Sequence, residues 1–500
     1  SVDDNGVVMA SAEGRVTITA KTSNNLTATC LIAVSAPKDL EINYSGTVIN
    51  GGTYGDVTIA AGVGEGDVSF NNVTITGTLT VNGGGSASIH FNGDSHAKDV
   101  IVSKAAGNTP RFLMNNSSTV TNFTVSGNQG AILEQGQNAT GRVSRVNAEK
   151  PLKIKNAEVP EITTSSELEL ENAKASNVAT EGDAVTIKLK GETKLEKLNA
   201  GAKTTIDTAD STSAKIDEIS TENAEIETDE KAEVGLVEAA GSAKITVKGP
   251  TGHINAGGGD IIVLGNSSPV IIGSAGTVSI GGSAKPILAA NADTVEVTAG
   301  SGAGITVTGE VNSISTTGTG SIGEISIEKG NPVVTITGGT QVGVITVSGT
   351  AAPTIEGAGS TDKLVSTSSG TVTVEVETAA IHAQTTGNIT GTKAQNVQEA
   401  TVTLDSITLT SKPSKLVYST NATELVTTGL VITGNYIVDG FTGTVKKVLA
   451  EEDYEITGWP TERTAGSYTI TVTEKASGKT ATFQISIVAK EVESIFISAL

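Results

Sequence analysis

Residues 245–297 read ITVKGPTGHINAGGGDIIVLGNSSPVIIGSAGTVSIGGSAKPILAANADTVEV. Ile245, Ile262, Ile280 and Val297 mark the centres of short aliphatic runs spaced 17, 18 and 17 residues apart. Half a period away, Ile254, Ile271 and Ile287 mark a second series. Each run is three to five residues long and alternates aliphatic with polar side chains, as in Ile245-Thr246-Val247-Lys248 and Val295-Glu296-Val297-Thr298. Alternation with period 2 is the mark of a strand that buries one face. Corners such as Gly265-Asn266-Ser267-Ser268-Pro269 and Gly281-Gly282-Ser283 separate the runs. A repeat this short has no room for a helical hairpin and fits one coil of a β-solenoid. Such a strand cannot stand alone; stacked coils supply both its backbone partners and a continuous core.

The beat continues in both directions. The first series runs from Leu168 through Ile187, Ile206 and Ile226 to Ile314, Ile336 and Ile355, and the second from Val178 through Leu198, Ile216 and Leu236 to Ile305, Ile325 and Ile345. Steps range from 16 to 22 residues, and residues 41–397 form the repeat block. About nineteen coils at ~4.8 Å each predict a rod on the order of 90 Å long. Residues 124–417 contain no Phe, Tyr or Trp. A core there must be built of thin Val, Ile, Leu and Ala rungs rather than large anchors. The same absence removes the rings on which a sugar or a base stacks. The block's aromatics are Tyr44, Tyr54, Phe70, Phe91, Phe112 and Phe123. They are expected to cover an exposed solenoid end. If a sugar is bound, the region of Phe91, Phe112 and Phe123 or the flanking segments are the expected places.

Charge is sparse but lopsided, with 54 acidic against 33 basic residues and a net charge of −21. That composition lacks a basic nucleic-acid footprint and a polybasic membrane patch. No run approaches the 18 apolar residues of a membrane-spanning helix, so no membrane insertion is expected in this segment. The lone Cys30 lies in the apolar run Thr29-Cys30-Leu31-Ile32 and reads as a buried structural thiol.

Residues 151–240 carry 20 Asp and Glu against 10 Lys. The densest group is Asp217, Glu218, Glu222, Glu225, Glu227, Asp229, Glu230 and Glu233. Strand alternation puts Glu225 and Glu227 on one face, which a general acid/base pair would require; a solvated outward face has the same pattern. The five Arg are Arg15, Arg111, Arg142, Arg145 and Arg463, so residues 146–462 have none. The histidines, His90, His96, His253 and His382, are too scattered for a zinc site, and His90 with His96 reads as a fortuitous surface pair. Gly257-Gly258-Gly259-Asp260 occurs once, without the successive repeats that a calcium-binding roll needs. No catalytic, cofactor-binding or metal-ligating residue is therefore assigned, and no cofactor is expected.

The flanks differ in character. In residues 1–36, Val2-Asp3-Asp4-Asn5-Gly6-Val7-Val8, Gly14-Arg15-Val16-Thr17-Ile18-Thr19-Ala20 and Ala28-Thr29-Cys30 resemble the C-terminal part of a bacterial immunoglobulin-like domain of group 2. Residues 402–488 regain core-sized rings, among them Tyr418, Tyr454, Trp459 and Phe483. There Leu404-Asp405-Ser406-Ile407-Thr408-Leu409, Thr428-Gly429-Leu430-Val431-Ile432-Thr433 and Ala465-Gly466-Ser467-Tyr468-Thr469 resemble an immunoglobulin-like domain of group 3. Val492-Glu493-Ser494-Ile495-Phe496-Ile497-Ser498 echoes Leu404 to Thr410, so residues 489–500 are expected to start a further module. Between the flanks, Asn72-Val73-Thr74-Ile75-Thr76-Gly77-Thr78-Leu79-Thr80-Val81 resembles the parallel β-helix regions of bacterial surface and adhesin-like proteins.

The fold expected is all-β: a parallel β-solenoid, right-handed, flanked by immunoglobulin-like β-sandwich modules. The resemblance implies a non-catalytic extracellular scaffold or adhesin segment of a large bacterial surface protein, on the cell surface or secreted. Its expected partners are host or environmental glycans or surface proteins, held by weak multivalent contact. The alternative is a polysaccharide lyase or hydrolase with carboxylates on an outer solenoid face. The enzyme requires a groove of convergent carboxylates with a cation or Arg; the scaffold requires flat Thr, Ser and Gly faces.

Overall fold

The computed structural model describes residues 8, 13–300, 302–441 and 444–489. It is all-β, 59% strand and 2% helix, and is built on a parallel β-solenoid of about 19 turns. Contacts divide the chain into two units, residues 1–175 and 176–500.

The first unit begins with an antiparallel hairpin, Gly14–Lys21 against Thr27–Val34. Val16, Leu26 and Leu31 are exposed on it. Cys30 is exposed too, contrary to the buried thiol read from its apolar neighbours. Two strands have only one layer, and among the described residues no second sheet covers them. The turn read at Asp4-Asn5-Gly6 and most of the run Val7 to Ala10 lie outside the described residues. From Lys38 the chain winds into coils whose strands pair in parallel with those of the next coil, as Ile49 does with Phe70 and Phe70 with Phe91. Phe70, Phe91, Phe112 and Phe123 are fully buried and pack ring against ring, edge-on or tilted, with centroids 5.9, 5.4 and 5.5 Å apart. These rings fill the coil interior. They cover no exposed end and present no face on which a sugar could stack, which corrects both expectations for Phe91, Phe112 and Phe123.

In the second unit each coil has three straight runs. Strand Ser211–Thr221 buries Ala214 and Ile216, then Ile219 and Thr221. The change of phase between Ile216 and Ile219 is a corner where the strand bends. In the next two coils Gly235 and Gly252 occupy that corner, where an added Cβ would lie 2.6 Å from the carbonyl oxygen of Asp217 or of Gly235. At these two positions only glycine clears the carbonyl of the coil before. The inward rungs are mostly Val, Ile, Leu and Ala, with buried threonines such as Thr204, Thr221 and Thr228 among them.

The rhythm read from sequence places every named centre but two in the core, although in register Ile206 faces Thr228, Val297 faces Thr316 and Ile336 faces Gly357, so the two series drift between neighbouring rungs. Ile262 and Leu236 point outward; Ile261, Val263 and Val237 are the buried rungs beside them. In the register, Ile245 faces Ile261 and Ile261 faces Val278, so Ile262 is equivalent to Ser279 and not to Ile280. Three successive β-branched residues, Ile261-Ile262-Val263, leave no alternation from which to choose the inward pair.

Residues 402–488 form two sheets. One is three-stranded, with Val431–Val438 between Val402–Ser411 and Thr444–Val448. The other is four-stranded and contains Val417–Ser419, Tyr454–Thr457, Gly466–Glu474 and Thr480–Val488. Between them lies a core of Ile407, Tyr418, Ile432, Leu449, Ile470 and Phe483, with Trp459 edge-on to Tyr418 at 5.0 Å. The expected further module at 489–500 falls outside the described residues apart from Ala489.

Candidate functional site

The acidic coils hold the densest group of carboxylates in the chain. Glu225 and Glu227 do share the outward face around strand Ile226–Thr228. Each meets lysine from a neighbouring coil: Glu225 lies 2.9 Å from Lys203, and Glu227 lies 2.6 Å from Lys248. Asp217 and Glu218 stand at the corner, 2.7 Å from Lys194 and Lys197 respectively, and Glu233 lies 3.5 Å from Lys215. The Asp229 carboxylate accepts backbone N–H bonds from Thr208 and Lys231 at 2.8 and 2.9 Å, closing a turn. Glu222 and Glu230 are exposed. The eight carboxylates are thus spread round the coil on different runs and turns.

An open groove of about 820 Å³ runs beside these coils, lined by Glu181, Asp183, Glu222 and Glu225 with Lys203 and Asn199. Of these, the Glu225 carboxylate is held below the usual range by the Lys203 ammonium, with Lys244 adding a smaller pull in the same direction. A general acid needs the opposite shift. The first unit carries the same lacing: Lys153 meets Glu169 at 2.7 Å and also contacts Glu171, while Lys155 lies 3.1 Å from Glu171. Exposed pairs of this kind contribute little individually, typically ~0–1 kcal/mol. Arranged between coils, they select the register in which opposite charges stack.

Another column is neutral. Asn71 donates to Asn50, Asn92 to Asn71 and Asn115 to Asn92, at 2.8, 2.9 and 2.8 Å. Asn71 and Asn92 each spend one donor and one acceptor on the coils above and below, so the column is committed to stacking. Asn72, Asn116, Asn138, Asn156 and Asn172 turn corners at positive φ, a conformation Asn tolerates better than most residues.

His96 Nδ1 lies 2.8 Å from Thr119 Oγ1 of the next coil. The Asp260 carboxylate of the Gly-rich segment accepts the Thr277 N–H at 3.0 Å. His253 and His382 sit where sequence reading placed nothing. The outer face of the three-stranded sheet packs on a solenoid flank within the second unit. Strand Val431–Val438 is buried on both sides: Ile432 enters the sandwich core, while Val431 packs on Val270 and Ile287. Nearby, Val365, Ala400, Val438 and Val445 form a second apolar patch, and the Lys363 ammonium lies 4.9 Å from the centre of the Phe441 ring.

Polar contacts fix this alignment. His253 Nε2 lies 2.9 Å from the Gly429 carbonyl oxygen and 3.1 Å from Ser411 Oγ. Glu328 Oε1 accepts the Val448 N–H at 2.7 Å. Gly440 stands against His382, where a Cβ would come within 3.0 Å of Cε1. Glu324 and Glu328 line a cleft of about 140 Å³ with Lys285, Lys446, Thr408 and Thr433. Desolvation there raises both carboxyls, Glu328 to about 7. One signal for this flank was present in the sequence: Val270-Ile271-Ile272 and Val431-Ile432 do not alternate, a pattern common in strands covered on both faces, although Ile261-Ile262-Val263 shares it without that cover. The glutamates gave no signal, because an outward Glu on a solenoid strand is ordinary.

Fold and surface together define a parallel β-solenoid protein that carries a two-sheet module against its flank. No family model, curated protein or solved structure matches the chain. No helix among the described residues is long and apolar enough to cross a membrane.

Proposed function

We propose that this chain is a non-catalytic scaffold or adhesive segment of a bacterial protein, secreted or held at the cell surface. In this reading the solenoid is a presenting stalk and the flanking sheets are immunoglobulin-like spacers. The observation that carries it is the state of the acidic coils. Their carboxylates are dispersed around the coil and largely engaged with lysines of stacked neighbours. What remains outward is a polar surface, with Thr186 and Thr205 on adjacent strands and Thr246 further on, one coil beyond Glu227. Each such group offers a ligand one small polar contact, so attachment depends on many contacts at once. Glycans and surface proteins with repeated polar groups are the partners suited to it.

The test compares the soluble chain with the same chain displayed densely on beads, against a panel of glycans and surface proteins. Retention by the beads with at most millimolar binding by the soluble chain is the expected result. Tight one-to-one binding would replace the multivalent reading with a single built site.

A further inference from the structure

We propose that the two-sheet module is a pH-sensitive clasp, closed on the solenoid flank in acid and loosened as the pH rises towards neutrality. The argument starts with a hydrogen bond. Val448 lies on the edge strand Thr444–Val448, and its N–H is donated to Glu328 of the solenoid. The neighbouring Leu449 N–H is instead donated to Ile432 O inside the module, at 2.8 Å. Two adjacent amides therefore report different events: opening of the flank exposes the first, and only unfolding of the module exposes the second.

Glu328 is the titrating element of the contact. Closure takes its carboxyl out of water, and the Val448 N–H and the Lys447 ammonium only partly compensate for that loss. Tyr436 of the module is close enough to feel its charge, as it feels those of Glu474 and Asp453. Glu324, Lys285 and Lys446 share its cleft. Burial raises Glu324 in the same direction, and the two lysines oppose that shift. Lys329, the next residue along the chain, is paired with Glu310 at 3.3 Å.

The sign follows from linkage. An acid whose carboxyl is raised in the closed state holds its proton more tightly there than in the open state. Closure is therefore fully favoured below the ordinary carboxyl value of 4.5 and weakens up to about 7. Below that window the carboxyl is neutral in both states; above it, closing must desolvate an anion. His253 and His382 lie on the same flank, so the test isolates Glu328 by substitution.

The experiment is amide hydrogen exchange on the full chain at pH 5 and pH 8, corrected for intrinsic rates. It compares the native protein with Glu328→Gln, whose amide oxygen still accepts a bond but does not titrate. Protection of the Val448 N–H should fall by about 70-fold between the two pH values in the native chain, while Leu449 stays protected. In Glu328→Gln the Val448 protection should be nearly flat. Equal Val448 protection at both pH values in the native chain, or an undiminished fall in Glu328→Gln, would overturn the proposal. Parallel loss at Leu449 would also overturn it, because the module would then be unfolding rather than opening.

Discussion

Ile261 and Ile262 are the same residue in adjacent positions, and the register assigns them opposite surroundings. Ile261 is a buried rung between Ile245 and Val278; Ile262 points outward between Thr246 and Ser279. A carboxylate at the first position enters a dry aliphatic stack with no partner, at a local cost of about 4 kcal/mol or more. At the second it reaches water, at about 1 kcal/mol or less. Hydrogen exchange in the neighbouring strands Ile245–Val247 and Val270–Ile280 should therefore rise sharply for Ile261→Asp and barely for Ile262→Asp. Equal effects would mean that the register is wrong. This is also where legibility ended: where Thr or Lys alternates with Ile, as in Ile245-Thr246-Val247-Lys248, the inward residues could be read directly. In an unbroken β-branched run one position of error turns a rung outward. Cys30 failed for a related reason, since an apolar neighbourhood in sequence does not reveal whether a second layer exists in space.

Coils are the natural element, because each contacts only its neighbours and can be removed as a unit. Leu152 pairs with Leu168 and Lys155 with Glu171, and the same offset relates Val146 to Ile162. Deleting residues 153–168 therefore joins Leu152 to Glu169 in register, and the ladder closes again. A folded chain one coil shorter is the expected result, by circular dichroism and gel filtration; collapse of the first unit would show a closed globular core instead. The lysine–glutamate lacing of these coils has its own pH signature. Glu171 is held low by Lys153 and then by Lys155, so its contribution is present above the ordinary value of 4.5 and is lost as the pH falls below it. Exchange in strands Leu152–Lys155 and Leu168–Glu171 should accelerate below pH 4.5 in the native chain. That acceleration should be smaller in Glu171→Gln, and an identical acid response in the two proteins would remove the lacing from the account. The coil count was legible because stacking forces a repeat on the sequence. The corner glycines and the stacked rings were not, because each depends on the coil above and below.

At the scale of the whole chain, the solenoid was legible from its period, but the docking of residues 402–488 on a solenoid flank was not. Its contacts join residues far apart in sequence, such as His253 with Gly429 and Glu328 with Val448. Gly429 adopts φ +81°, and a Cβ there would fall 2.1 Å from His253 Nε2. Gly429→Ala should thus expose the Val448 N–H to exchange while Leu449 stays protected. Loss of both would mean that the glycine serves the module's own fold. The central claim is that this surface presents rather than transforms. It is tested most directly by incubating the chain with pectin-like, alginate-like and other common polysaccharides, with and without Ca²⁺, and measuring new reducing ends and unsaturated products. The account predicts neither. Sustained turnover that disappears in Glu225→Gln or Glu227→Gln would contradict it and make the acidic coils an active face.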